Sequence, residues 1–343
     1  MIADVFLREI PAALQAGIRS GQLDVYGSVI RNVSNGQIAG FLQETSALSK
    51  VAALVNAGPA APLQLVSAGV QILQNEQIKT GISAVQQSLA VLNELQIANL
   101  ALGAAGIGVT AVGFAVMSKK IDRVREDVRV LDGKLDRLLD EFARDRTEKL
   151  DDMFDRLRGL AERIDMRWSM SGDRAALGWQ HDADEVDRLS TFFAGRARRL
   201  LDARADTVIE ATPLLDAFAM ASGMRIGALA LAGETQAAVQ VARDDAARME
   251  QMTGRIGAAD LARAWLESSQ WQAAPGSDAA GEALALASTH ARSAATTLRA
   301  REAVAATRAS PLLALESQGM LARDWLGAAR EEQEAPLLLM TAI

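Results

Sequence analysis

The chain has 343 residues, half of them hydrophobic but only 4% aromatic, and its formal net charge is −7. The negative balance argues against a general nucleic-acid binder, which usually presents a basic surface, so no nucleic-acid partner is predicted. The absence of cysteine excludes disulfides, thiolate catalysis and cysteine-ligated zinc. Abundant alanine, leucine, arginine and glutamate, all good helix formers, predict a mainly α protein.

The N-terminal region, residues 1–56, is predicted to combine a short helix with a small β-hairpin. It contains no signal-peptide core, so synthesis in the cytoplasm is expected. β-forming residues flank Asn35-Gly36, a dipeptide that suits a type I′ turn because both of its positions need positive φ. An isolated hairpin is barely stable, so its edges are candidates for docking on helices or on a protein partner.

Residues 57–62, rich in alanine and proline, form a predicted linker to two helical arms, which span residues 63–165. The first arm carries few charges, whereas the second is densely charged. Apolar positions in the second arm alternate by three and four residues, which is typical of a coiled coil. These positions are Ile121, Val124, Val128, Leu131, Leu135, Leu138 and Phe142.

The charges beside this coiled-coil seam disfavour a parallel dimer of the second arm. Such a dimer would place Lys120 opposite Arg125 and Asp127 opposite Asp132, and both pairs repel. The first arm has neutral flanks instead. We therefore expect residues 65–100 to pack antiparallel against the second arm in the soluble form of the protein.

An uncharged apolar segment, residues 97–117, separates the two arms. About 20 helical residues span the ~30 Å hydrocarbon core of a bilayer, so the segment is long enough to enter a membrane. Three interpretations remain open: a single span, a hairpin tip, or a helix buried in a soluble bundle. The predicted membrane-inserting residues are Leu100, Leu102, Gly103, Gly106, Ile107, Gly108, Val109, Val112, Gly113, Phe114, Val116 and Met117.

No catalytic, metal or cofactor site is predicted. The sequence from Gly106 to Ala111 fits the loose G-x-G-x-x-A fingerprint, but a helical pattern precedes it where a dinucleotide site needs a strand. His181 and Glu185 have the spacing of two metal ligands on one helix face. An ordinary solvated helix start explains the acidic residues around them better, so an enzyme is the least supported class.

Residues 166–343 are predicted to form a C-terminal helical bundle whose role the sequence does not reveal. Two long arms around a Gly/Ala-rich apolar segment resemble the α-helical pore-forming toxins of the cytolysin A type. The resemblance covers about residues 63–165 and concerns architecture alone, and no functional residue is carried over from it. It implies an apolar element that is packed in the soluble form and released to build a multimeric pore.

The sequence thus predicts a membrane-inserting helical effector that oligomerises and permeabilises a bilayer, consistent with a role in bacterial defence. It would be cytoplasmic at synthesis and membrane-associated afterwards, with lipid and further copies of itself as partners. The hairpin edge or the C-terminal region offers a surface for another protein. The alternative is a soluble coiled-coil scaffold or partner-binding subunit that buries the apolar segment in its own bundle.

Overall fold

The computed structural model describes residues 6–8, 10–46, 114–135, 142–170, 172–203, 208–268, 277–335 and 337–341. The strands are β1 (Phe6–Leu7), β2 (Leu23–Tyr26), β3 (Val29–Asn32), β4 (Ile38–Glu44) and β5 (Leu337–Thr341). The helices are α1 (Ala12–Arg19), α2 (Phe114–Leu135), α3 (Phe142–Met166), α4 (Asp173–Ala203), α5 (Val208–Leu231), α6 (Thr235–Thr253), α7 (Ala258–Ser268), α8 (Asp278–Thr307), α9 (Ser310–Ser317) and α10 (Ala322–Glu331). A mainly helical protein with a small N-terminal β-hairpin is therefore confirmed.

The predicted hairpin is the pair of strands β3 and β4. Residues 33–37 form the loop between them, so the loop is longer than the two-residue type I′ turn that was predicted at Asn35-Gly36. Gly36 has a φ of 72°, the left-handed conformation for which glycine is suited. The run of β-forming residues before this loop is divided in two, however. Gly27, with a φ of 60°, turns the chain between β2 and β3, so the hairpin becomes a three-stranded meander.

The last described strand, β5, completes a five-stranded antiparallel sheet of order β1-β5-β4-β3-β2. It lies between β1 and β4, with Met340 opposite Phe6 on one side and Phe41 on the other. Strands from the two ends of the chain are thus hydrogen-bonded in one sheet. No strand was predicted for the apolar stretch around Met340. The division of the chain into regions at residues 56, 62 and 165 stays a prediction.

Both faces of the sheet are covered. Leu337 and Leu339 point to one face, where they pack with Ile10 beside α1. Leu338 and Met340 point to the other face and join the main helical core. A strand buried on both faces carries apolar residues at successive positions, which explains the unbroken run of leucines in β5.

Helix α5 is the centre of the helical body. It packs against α2, α3, α4, α6, α8 and α10. Its residues Leu215, Phe218 and Met224 are among the most deeply buried large side chains of the described chain. Since α5 is apolar around its whole circumference, it needs neighbours on every side, and the other helices supply them.

Helices α2 and α3 form an antiparallel pair joined by ion pairs. Arg125 Nε lies 2.8 Å from Asp151 Oδ1, and Arg129 Nη2 lies 3.0 Å from Asp151 Oδ2. Arg158 and Asp122 meet further along the pair, at 3.4 Å. The charged second arm therefore folds back on its own continuation, while its predicted partner, residues 65–100, lies outside the described residues.

These ion pairs predict an acid-sensitive contact. Burial disfavours the charged form of Asp151, but hydrogen bonds from Arg129 and Arg125 outweigh it, so the pKa of Asp151 lies below its ordinary value. A depressed pKa contributes stability that is present above the unfolded-state pKa of about 4 and is lost as the pH falls through the folded-state pKa. We expect Asp151→Asn to lower the free energy of unfolding by about 1 kcal/mol at neutral pH and to flatten its decline in acid.

Urea denaturation of both proteins at a series of pH values measures this effect. The matched control is Asp152→Asn, which alters the exposed neighbouring carboxylate and should keep the acid dependence of the unaltered protein. Parallel pH curves for the unaltered protein and Asp151→Asn would contradict the assignment.

Candidate functional site

Most of the predicted membrane-inserting residues lie outside the described residues. These are Leu100, Leu102, Gly103, Gly106, Ile107, Gly108, Val109, Val112 and Gly113. The last residues of the apolar segment begin α2: Phe114 and Val116 are helical, and the side chain of Met117 is buried at 3% exposure. The apolar segment is therefore joined directly to a helix that packs in the body.

The start of α2 is fastened to both the helical core and the sheet. Met117 and Ile121 pack in the main core. On another side of the helix, Lys120 Nζ lies 3.3 Å from Glu44 Oε2 at the end of β4. The Glu44 side chain is 2% exposed, and a buried carboxylate with one cationic partner favours a fixed geometry. This junction holds the end of the apolar segment in one orientation relative to the sheet.

The described part of the coiled-coil seam is buried inside the chain's own body. Ile121, Val124 and Val128 belong to the main core, where α2 packs on α3 and α5. Leu131 and Leu135 lie in α2, and Phe142 begins α3. Their side chains, and Leu138, are outside the described residues. The helix face of Ile121, Val124 and Val128 is thus covered by α3 and α5 in the described part of the chain, and the coiled-coil seam as a whole stays a prediction.

A second apolar helix went unnoticed in the sequence. The stretch Ala211–Leu231 of α5 has a mean hydropathy of 1.4 over a membrane-length window, and 83% of that window is buried. Among the described residues, this helix alone is long and apolar enough to cross a bilayer. Length and apolarity therefore do not by themselves separate a core helix from a membrane helix in this protein.

The pair His181 and Glu185 lies in the middle of α4. His181 Nε2 is 3.1 Å from Glu185 Oε1, and Glu185 also pairs with Arg163. The expectation of a solvated helix start is wrong for the adjacent Asp182, whose fully buried carboxylate accepts two hydrogen bonds from Arg167. The described residues contain no group of three side chains suited to a metal ion. The cluster therefore joins α3 to α4 through ion pairs.

A pocket of about 290 Å³ opens between α5, α6 and α8. One face of α8 supplies most of its wall, with side chains recurring every three or four residues from Ser293 to Arg308. Hydroxyl groups of Ser293, Thr296 and Thr297 lie at its exposed rim. The walls are apolar and consist of Ala219, Met249, Ala300, Val304 and Ala305.

Two arginines line the pocket and differ in how they are neutralised. Arg301 forms a bidentate pair with Asp216, with Nε–Oδ1 and Nη2–Oδ2 distances of 2.8 and 3.0 Å. Arg308 forms no ion pair with any described residue, and Nη1 donates a hydrogen bond to Ser222 Oγ at 2.9 Å. Burial lowers the pKa of Arg308, and the field of Asp245 partly opposes this change.

The carboxylate of Asp245 is the described acidic group whose charge acts on Arg308. The ion-pair partner of Asp245 is Arg248, at 3.8 Å. Burial raises the pKa of Asp245, and a hydrogen bond from Ser222 acts in the opposite direction.

The sequence contained no signal for the two arginines of the pocket beyond the seven-residue spacing of Arg301 and Arg308, which places them on one helix face. Their burial depends on the packing of α5 and α6, which the local sequence does not encode.

Comparisons with protein-family models, with curated proteins and with solved structures find no match for this chain.

Proposed function

We propose that the protein is a membrane-inserting helical effector that oligomerises and permeabilises a bilayer. The observation that carries the proposal is the uncharged segment at residues 97–117 together with its attachment to the body through Met117 and the pair of Lys120 with Glu44. A segment fixed at one end to a packed domain has a defined starting position for insertion. Glycines within it allow helices to approach one another closely in lipid, which favours assembly of several copies.

The described helices and the sheet support this proposal, because they form a part of the protein that can stay folded while the segment inserts. The core of this part is built around α5 and closed by the sheet, and Met117 is the residue of the segment 97–117 that packs in this core among the described residues. The ion pairs between α2 and α3 hold the segment's attachment point in place. We therefore propose that the residues before Met117 insert while Met117 stays in the core, which serves as a folded base.

One observation favours the alternative, a soluble scaffold with the apolar segment buried. The chain already places one apolar helix of membrane length, α5, inside its own core. In this alternative, residues 97–117 would be buried by protein in the same way as α5. The two functions differ in whether lipid replaces protein around residues 97–117, so vesicle assays distinguish them.

A charge in the middle of the segment tests the proposal. We expect the unaltered protein to release dye from vesicles of mixed neutral and anionic phospholipids and to sediment with them. Aspartate at a helix centre costs about 2.5–3.5 kcal/mol on insertion, so Gly108→Asp should slow the release on the order of a hundredfold. Dye fluorescence and co-sedimentation measure both properties.

The matched control is Gly281→Asp in α8, an exposed position with open space around it, which should leave dye release unchanged. Circular dichroism and thermal melting confirm that both variants stay folded. If the unaltered protein neither sediments with vesicles nor releases their dye at neutral or acidic pH, the membrane function is wrong and the scaffold function stands.

A further inference from the structure

The pocket between α5, α6 and α8 contains a buried cation, Arg308, that forms no ion pair with any described residue. Two buried carboxylates lie near it. Asp216 pairs with Arg301, whereas Asp245 makes only a long contact with Arg248, at 3.8 Å. The Oδ2 atom of Asp245 accepts no hydrogen bond from the described residues, and the charge of Asp245 also acts on Arg308. Arg308, by contrast, has Ser222 as its hydrogen-bond acceptor among the described residues. Burying an unpaired charge is costly, and a guanidinium has five donors to satisfy. The end of the pocket at Arg308 is therefore suited to an anion.

The rest of the pocket sets the kind of anion. Met249, Val304 and the alanines at positions 219, 300 and 305 present apolar surface along it. A volume of about 290 Å³ lies at the lower end of the range found for small-molecule pockets, which favours a small ligand. Because the lining follows one face of α8, the space is elongated along that helix. An unbranched hydrocarbon chain with a charged end has this shape and size.

The charge balance distinguishes a carboxylate from a phosphate. Arg308 is the arginine of the lining that no described carboxylate pairs with. Asp216 occupies the bidentate face of Arg301 and leaves the Nη1 atom of Arg301 without a hydrogen-bond partner among the described residues. A phosphate dianion would bring a second negative charge into a region that already holds Asp216 and Asp245. A monocarboxylate matches the one available cation and the fork geometry of arginine.

We propose that this pocket binds a medium-chain monocarboxylate, with its carboxylate on Arg308 and its hydrocarbon chain between Met249 and Val304. The activity is separate from the proposed membrane function, and either stands without the other. A bound carboxylate would join α8 to α5 through Arg308 and Ser222 and so stabilise the packing of these helices.

Isothermal titration of the full chain with octanoate tests the proposal, with octanamide as a matched neutral ligand of the same number of non-hydrogen atoms. We expect saturable binding of octanoate at one site and at least tenfold weaker binding of octanamide, because hydrogen bonds to a charged acceptor are the stronger ones. Equal affinity for the two ligands, or no saturable binding of octanoate, overturns the proposal. Displacement of octanoate by inorganic phosphate at comparable concentration also overturns it, because the site would then be a general anion site.

Two variants locate the site. Arg308→Met should abolish octanoate binding, but the loss of a buried side chain can also disturb folding. Ala300→Phe fills the pocket and leaves Arg308 in place, and it should lower octanoate affinity at least tenfold. Its control, Ala306→Phe, lies at an exposed position of α8 and should bind octanoate like the unaltered protein. Unchanged binding by a folded Ala300→Phe variant places octanoate elsewhere and refutes the assignment.

Discussion

Replacing Met340 with aspartate is expected to prevent the chain from folding. Met340 is fully buried in β5, the strand between β1 and β4, and its side chain joins the main core. A carboxylate there would lose its hydration among the apolar side chains of the main core, a class of change that costs more than about 4–5 kcal/mol. Since domains are stable by about 5–15 kcal/mol in total, most of the folded population should be lost. Circular dichroism, soluble yield and thermal melting measure the result.

Two controls isolate the effect of burial at this position. Thr341→Asp places the same carboxylate on the exposed neighbouring residue of β5 and should fold normally. Met340→Leu keeps an apolar side chain of similar volume and should cost less than about 1.5 kcal/mol. A Met340→Asp variant that melts within a few degrees of the unaltered protein would show that β5 does not lie inside the sheet.

Removing the carboxylate of Asp216 is expected to lower the free energy of unfolding by about 3–5 kcal/mol. Asp216 in α5 and Arg301 in α8 form a bidentate pair whose side chains are only 11% and 9% exposed. Asp216→Ala leaves the Arg301 guanidinium buried and unpaired, which is more costly than the loss of the pair itself. Urea denaturation gives the change directly.

An exposed pair provides the comparison. Asp202 pairs with Arg198 on the surface of α4, with side chains 70% and 72% exposed, and Asp202→Ala should change stability by less than about 0.5 kcal/mol. Exchanging both buried partners, as Asp216→Leu with Arg301→Met, should restore much of the lost stability because no charge is then left unpaired. A loss below about 1 kcal/mol for Asp216→Ala would mean that water reaches the pair.

Local features of the fold were readable in the sequence, because they depend on neighbouring residues. Asn35-Gly36 marked the turn between β3 and β4, since positive φ is a property of the residue itself. The heptad positions Ile121, Val124 and Val128 lie on a buried face of α2. Gly27 inside a run of β-forming residues was a similar signal, and its meaning as a second turn was missed.

Features that depend on distant partners were not readable in this way. The leucines of β5 have no alternation to reveal a strand, because both faces of that strand are covered by elements far away in the chain. The apolar helix α5 has the composition of a membrane helix, and only the helices packed around it show otherwise. The candidate pocket falls in the same class, because the packing of three helices buries Arg308 without an ion-pair partner among the described residues.

The position of β5 in the sheet has a consequence for the order of events during synthesis. β4 ends at Glu44 and β5 begins at Leu337, so one edge of β4 has no partner until the intervening chain has been made. At about 5–20 residues per second, translation of that chain takes roughly 15–60 seconds. An unpaired apolar strand edge is a template for pairing with other chains throughout this interval. Intermolecular association of nascent chains is therefore governed by the speed of the ribosome, and the stability of the finished sheet has no influence on it.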